Sequence, residues 1–288
     1  MKEFEKIARG DPEYPSLLTE IPGPPEVLYW RGKIEEVKSP SIALVGCRAP
    51  TPYGERVAWL LSEELAKMGV TTVSGLARGI DTVVHEATLK AGGKTIAVLG
   101  TGMDLIYPSE NKNLAAKISQ QGVVVTEFPP GTLPLPHNFP QRNRIISGLS
   151  LGTVVIEAAE KSGALITARL AAEQGREVFA VPGPITSPVS RGPNRLIRDG
   201  AKLAQRAEDI LEEIPRLAGR LPEMKKIPAP GLTKEEQDLL NLISHEPVLV
   251  DKIIQGTGRG AGTILQSLLD LELKGAVRCL PGKRYVRN

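Results

Sequence analysis

From about residue 41 to residue 181 the chain alternates short, continuous apolar runs with longer amphipathic stretches. The runs Ser41–Val45, Thr71–Ser74, Lys94–Leu99, Val123–Thr126, Thr153–Ile156 and Glu177–Val181 are rich in β-formers and lack polar alternation, as strands covered on both faces should be. Between the first two, Tyr53–Met68 sets Val57, Leu61 and Leu65 four apart, with Leu60 and Met68 widening the stripe, which predicts a helix. Ala77–Ala91, Asn111–Gln121 and Ala164–Gln174 predict further helices. Strand and helix alternating at this spacing give right-handed βαβ units, hence an α/β domain with a doubly wound, mostly parallel sheet. Ligands of such sheets bind at the carboxyl ends of the strands. Here the glycine-rich segments follow those ends.

The flanks break the pattern. Residues 1–36 carry Pro12, Pro15, Pro22, Pro24 and Pro25 and read as an extended N-terminal arm leading into an α/β domain at 37–214. Residues 215–231 combine four prolines with four basic residues, the composition of a semi-rigid linker. Residues 232–288 turn helical and end in a hairpin. Thr233 and Glu236 make a capping box ahead of Leu239, Leu240, Leu242 and Ile243. Val248–Gln255 is a short second helix, and Ala261–Lys274 buries Ile264, Leu265, Leu268, Leu269 and Leu271. Ala276–Leu280 and Arg284–Arg287 flank Pro281-Gly282 as strands. Three helices and a hairpin predict a small C-terminal winged-helix domain. Its third helix carries Asp270 and Glu272, and its hairpin Lys274, Arg278, Lys283, Arg284 and Arg287. That distribution suits backbone or protein contact better than base reading in a major groove.

Composition narrows the function classes. A net charge of +3 permits a local basic patch without demanding a polyanionic partner. Four Phe, two Trp and five Tyr exclude a long ladder of base-stacking platforms. No apolar run approaches the ~20 residues of a membrane-spanning helix, and the charged start Met1-Lys2-Glu3-Phe4-Glu5-Lys6 has no signal core. Cys47 and Cys279 make no disulfide framework, and with three histidines no zinc cluster is expected. The expectation is a soluble, cytoplasmic protein without membrane insertion, metal or other cofactor.

The candidate chemistry sits in loops after the strands. The turn Gly46-Cys47-Arg48-Ala49-Pro50-Thr51-Pro52-Tyr53-Gly54 offers close backbone approach, a helix N-terminus and an arginine fork to a phosphate. It has neither the dinucleotide spacing nor a Walker lysine. Ser74-Gly75-Leu76-Ala77-Arg78-Gly79-Ile80-Asp81 with His85 contains the residue types of a hydrolytic triad. It lacks a nucleophile elbow, and Asp81 and His85 one turn apart suit a capped helix start with a helix-surface hydrogen bond. Gly100-Thr101-Gly102, with Asp104 and Tyr107-Pro108, is a third close-approach loop. Phe139-Pro140-Gln141-Arg142-Asn143-Arg144 opens an apolar helix with two phosphate-gripping arginines, an asparagine for a backbone or base edge, and one stacking ring. Gly152-Thr153-Val154-Val155-Ile156-Glu157 resembles the catalytic glutamate element of phosphoribohydrolases. The glycine pair that precedes it there is replaced by Leu149-Ser150-Leu151, which favours a structural Glu157. Arg191, Arg195 and Arg198 lie in a final loop and helix that either line the same crevice or close the sheet.

Together, Gly46-Cys47-Arg48 with Tyr53-Gly54, Ser74–Asp81, Phe139–Ser150 and Pro182-Gly183 with Gly192-Pro193-Asn194-Arg195-Leu196-Ile197 resemble the DprA/Smf DNA-processing family, in order, from about Tyr14 to Ile214. The resemblance implies an extended Rossmann-like domain that binds single-stranded DNA, often as a homodimer. It further implies protection of incoming DNA and loading of the RecA recombinase during natural transformation, with no catalytic turnover established. The implied DNA contacts fall on Gly46 and Arg48, on Phe139, Arg142, Asn143 and Arg144, and on Ser162, Gly163, Thr167 and Arg169. Cys47 stands where the family usually has Ser or Thr, and Pro136 where many members have lysine, so one backbone contact is lost or moved. The helical N-terminal module of many relatives is largely absent from the 36 residues before the sheet. Two other classes remain open: a phosphoribohydrolase-like enzyme using Glu157, and a duplex DNA regulator using the winged helix.

Overall fold

All five residues of Ser41–Val45 are buried, with Ile42 and Leu44 in one core cluster and Ala43 and Val45 in another. Helices on both sides of the sheet make this possible. The computed structural model describes residues 4–220, 233–243, 248–274, 276–280, 282 and 284–287. The chain divides into two compact units, Met1–Leu221 and Pro222–Asn288. In the first the order is β1 (Glu5–Ala8), α1 (Ser16–Thr19), β2 (Val27–Gly32), β3 (Ser41–Val45), α2 (Pro52–Lys67), β4 (Thr71–Ser74), α3 (Ile80–Lys90), β5 (Thr95–Val98) and α4 (Lys112–Gln121). There follow β6 (Val123–Thr126), α5 (Asn138–Gly148), β7 (Gly152–Val155), α6 (Gly163–Glu173), β8 (Glu177–Ala180), α7 (Arg191–Arg198), β9 (Lys202–Leu203) and α8 (Ala207–Glu212).

Among the described residues the nine strands form one sheet, ordered β1-β2-β6-β5-β4-β3-β7-β8-β9. The strands from β6 to β9 in that order are parallel, with Ala43 paired to Val73 on one side and Thr153 on the other. β4, β5 and β6 lie to one side of β3, whereas β7, β8 and β9 lie to the other. The order therefore reverses between β3 and β7, which is where a doubly wound sheet opens a crevice. The α/β class and the small C-terminal winged helix agree with the sequence pattern.

Two boundaries and one helix face differ from it. The proline-rich N-terminal segment is no extended arm: β2 pairs antiparallel with β6, and β1 with β2. Leu18, Ile21 and Leu28 join the core, and Tyr14 donates its hydroxyl to the Pro25 carbonyl at 2.7 Å. Residues 215–220 of the expected linker are a 3₁₀ turn that inserts Leu217 into the core, and Arg220 donates to the Gly69 carbonyl. The rest of that linker lies outside the described residues. On α2, Leu61 and Leu65 are buried together with Ala58, and Leu60 faces solvent.

The second unit comprises α9 (Lys234–Asn241), β10 (Val248–Leu249), α10 (Val250–Thr257), α11 (Ala261–Leu273), β11 (Val277–Leu280) and β12 (Arg284–Arg287). Thr233 and Glu236 form the expected capping box. The segment expected to begin a helix at Val248 first contributes a strand that pairs with β12. Leu268 and Leu271 are buried, but Leu265 and Leu269 are exposed. Lys274, counted among the basic residues of the wing, is instead bonded to Glu236 at 2.6 and 2.7 Å. Lys283 lies outside the described residues. No described helix is long and apolar enough to cross a membrane.

Candidate nucleic-acid interface

At the switch point the carboxyl ends of β3 and β7 and the start of α5 frame a crevice of about 480 Å³. Gly46, Arg48, Phe139, Arg142, Asn143, Ser162, Gly163 and Thr167 all line it, so the structure brings together most of the residues expected from sequence. Arg48 is exposed and sets its guanidinium 5.6 Å from the centre of the half-buried Phe139 ring. Tyr107 packs against the other part of that ring, centroids 5.7 Å apart, in a smaller hollow shared with Arg48 and Arg78. The α6 N-terminus closes one wall. Ser162 caps it by accepting from the Ala164 amide at 3.3 Å, and the exposed Gly163 leaves the first turn uncovered. Arg48, Lys161 and Arg142 face a single acidic lining residue, Asp81.

Both arginines of the Phe139 segment are bound to protein groups. Arg142 is 4% exposed. Its Nη1 donates to the carbonyls of Gly75, at 2.6 Å, and Val98, and its Nε donates to Asn143 Oδ1 at 3.2 Å. Burial pulls its pKa down to about 10, so it remains a cation, held at the crevice wall by its bonds to two strand-end carbonyls. Glycine at 75 leaves the guanidinium its place, because a Cβ there would lie 2.6 Å from the Arg142 guanidinium carbon. Asn143 uses its other end on the Gly163 carbonyl at 3.3 Å, holding a backbone rather than a base edge. Arg144 is outside the crevice lining, ion-paired with the largely buried Glu127. Burial raises the Glu127 carboxyl, and Arg144 opposes that rise. Arg169 is also outside the lining, exposed and 3.5 Å from Glu173.

Glu157 is buried and clamps the first turn. It accepts from the Thr51 amide at 2.8 Å and the Thr51 hydroxyl at 2.6 Å, and Cys47 Sγ is 3.8 Å away. Burial first, and Glu157 second, push the Cys47 thiol up to about 11, so it stays neutral. These contacts favour the structural reading of Glu157. Gly46 serves packing as well as approach, since a Cβ would fall 2.5 Å from Ile80 Cγ1. Ser74, Asp81 and His85 make no triad. Ser74 donates to the Leu44 carbonyl, Asp81 accepts from the Gly75 and Ala77 amides, and the fully buried His85 meets Thr95 Oγ1 at 2.7 Å. The hydrogen bond expected on the helix surface is thus replaced by one in the core. Two lining features escaped the sequence reading: Lys161, immediately before the α6 cap, and Tyr107 as the neighbour of Phe139.

Burial lowers His85 to about 3, whereas an unfolded chain protonates near 6.5. Between these values the unfolded state binds more protons, so this contribution to stability is present above about pH 6.5 and is lost as pH falls, by about 1.4 kcal/mol per unit. From pH 6.5 to 5 the expected loss is roughly 2 kcal/mol. Urea unfolding of wild type and His85→Gln at both pH values checks this; an unchanged slope in the variant would assign the effect elsewhere.

The model of DNA recombination-mediator protein A matches residues 5–215, and that of the DprA winged helix domain matches residues 224–283. The chain belongs to the DNA recombination-mediator protein A family. It is 44% identical to Protein Smf of Escherichia coli over 282 residues, 95% of this chain and 75% of that protein. It is 48% identical to the DNA processing protein DprA of Bacillus subtilis over 204 residues, 70% and 69% of the two chains. Among solved structures, DprA from Streptococcus pneumoniae matches with TM-score 0.71 and 43% identity, covering 74% of this chain and 75% of that one. DNA processing protein A from Helicobacter pylori, whose structure concerns its single-stranded DNA binding mode, matches with TM-score 0.66 and 29% identity over 72% and 94%. Membership places the protein among DNA-processing proteins, and both family models fall on the two units of the fold.

Proposed function

We propose that the switch-point crevice binds single-stranded DNA with little base preference. The observation that carries this reading is the meeting of Arg48, from the turn after β3, and Phe139, from the start of α5, at a crevice lined by a cation-rich set. An arginine fork and a helix N-terminus suit phosphate oxygens, and an aromatic face suits any base. Lys161 supplies the cation that Pro136 lacks, so the backbone contact moves to the other rim. On this reading the contacting set is Gly46, Arg48, Phe139, Lys161, Ser162, Gly163 and Thr167, with Arg142 and Asn143 holding the frame. The family relationship supports a wider role: a cytoplasmic homodimer that protects incoming strands and loads the RecA recombinase in natural transformation.

Fluorescence anisotropy with labelled oligo-dT, oligo-dA and a mixed sequence tests the binding. Affinity should fall with salt with a log–log slope of about −0.7 per phosphate neutralised. Arg48→Ala should weaken all three sequences alike and make the slope shallower by about 0.7. Salt-independent affinity, or a change of base preference in Arg48→Ala, rejects the phosphate assignment. For the wider role, the protein should shorten the lag of RecA filament formation on strands coated with single-strand binding protein. No change in that lag removes recombinase loading and leaves the crevice reading standing.

A further inference from the structure

We propose that the exposed arginine face of α7 is a second DNA site, a track that carries the phosphates of the single strand as it leaves the crevice. The proposal rests on the crevice reading and extends it to residues outside the crevice lining. Arg191, Arg195 and Arg198 occur at i, i+4 and i+7, so they share one helical face. The opposite face fixes their direction. Gly192 and Pro193 are buried, and the Gly192 amide donates to the Ala158 carbonyl at 3.0 Å. A Cβ at Gly192 would lie 2.4 Å from that oxygen. Asn194 bonds both the amide and the carbonyl of Gly183, at 3.1 and 3.0 Å, pinning the helix to the loop after β8.

With Glu160 and Ile185 the arginines line a groove of about 430 Å³. The Arg191 side chain has no hydrogen-bond or ion-pair partner among the described residues. Arg195 and Arg198 share one exposed carboxylate, Asp199, each at 3.4 Å, and such surface pairs hold their arginines weakly. Ile185 is 88% exposed, an apolar side chain left beside three cations. The groove adjoins the crevice through three consecutive residues: Ala159 and Lys161 line the crevice, and Glu160 between them lines the groove. A polyanion leaving the crevice over Lys161 therefore meets the α7 face next. A flexible single strand follows that turn, with phosphates on the arginines and a base edge over Ile185.

The test compares two strand lengths on the full chain. An oligo-dT of about five nucleotides matches the low end of single-strand site sizes, and one of about twenty exceeds the high end. Arg191→Gln/Arg195→Gln/Arg198→Gln should weaken the long strand about tenfold or more and make its salt slope shallower by about 2, at about 0.7 per phosphate. Short-strand affinity and melting temperature should stay as in wild type. The triple lysine variant should recover most of the long-strand affinity, because phosphate contact needs charge rather than a fork. Unchanged long-strand affinity and slope in the glutamine variant, with Arg48→Ala and Phe139→Ala weakening both lengths, overturns the track and leaves the crevice intact. If Arg48→Ala and Phe139→Ala weaken neither length, the crevice reading itself fails, and with it the track anchored there.

Discussion

Replacing Arg142 with methionine should destabilise the first unit by about 3–5 kcal/mol, the range for removing one partner of a buried charge pair. The side chain holds the carbonyls of Gly75 and Val98 and the Asn143 amide, and its charge faces Asp81. Methionine fills similar volume but donates nothing, so two strand-end carbonyls lose their arginine donor. Asp81, whose carboxyl is already raised by burial, loses the cation that opposes the rise. For a unit of this size the melting temperature should fall by roughly 6–20 °C. Gly75→Ala should reproduce much of that loss, because its Cβ displaces the same guanidinium. In the Arg142→Met background the alanine should cost far less, since the group it strikes is gone. Calorimetry of the three variants measures this. An unchanged melting temperature in Arg142→Met together with lost strand affinity would make Arg142 a phosphate contact after all.

That prediction reverses what the residue types around Asn143 suggested, and the reason was available in the chain. Residues two apart on a helix lie about 200° apart, so Arg142 and Arg144 cannot face one crevice. One goes under the sheet edge and the other to Glu127. The strands from Ser41 to Ala180 were legible because parallel strands covered on both faces are continuously apolar. Strand β2 was not, because Tyr29, Trp30 and Arg31 are each only half buried and its partner β6 lies about a hundred residues on. The prolines of the N-terminal segment sit between the paired strands, where no ladder bond is required. Lys161 was legible in principle, since a cation just before a serine cap at a strand end must lie near that helix's amides. Tyr107 was not, because nothing local says which ring a loop will bring to Phe139. The arginines of α7 had the spacing of a shared face, but only the buried Gly192-Pro193 edge shows that the face is turned outward.

Phe139→Ala should weaken single-strand binding by about 1–3 kcal/mol, roughly fivefold to more than a hundredfold, with little change in melting temperature. The ring is only half buried, and what it touches is the site itself: Arg48 on one side, Tyr107 on another and the Gly100 backbone beneath. A Cβ at Gly100 would come within 2.8 Å of Phe139 Cδ1, so that glycine seats the ring at the β5 end rather than letting it tip outward. A core phenylalanine would behave differently, losing about 3–5 kcal/mol of stability on truncation. Tyr and Trp at position 139 keep a π face and should hold affinity near wild type, whereas Leu keeps apolar bulk and should not. Titration with oligo-dT and thermal melting of the same four variants separate the two roles. A large fall in melting temperature with affinity intact, or a leucine variant that binds as wild type does, would make Phe139 a packing residue. The stacking platform would then have to be Tyr107 alone.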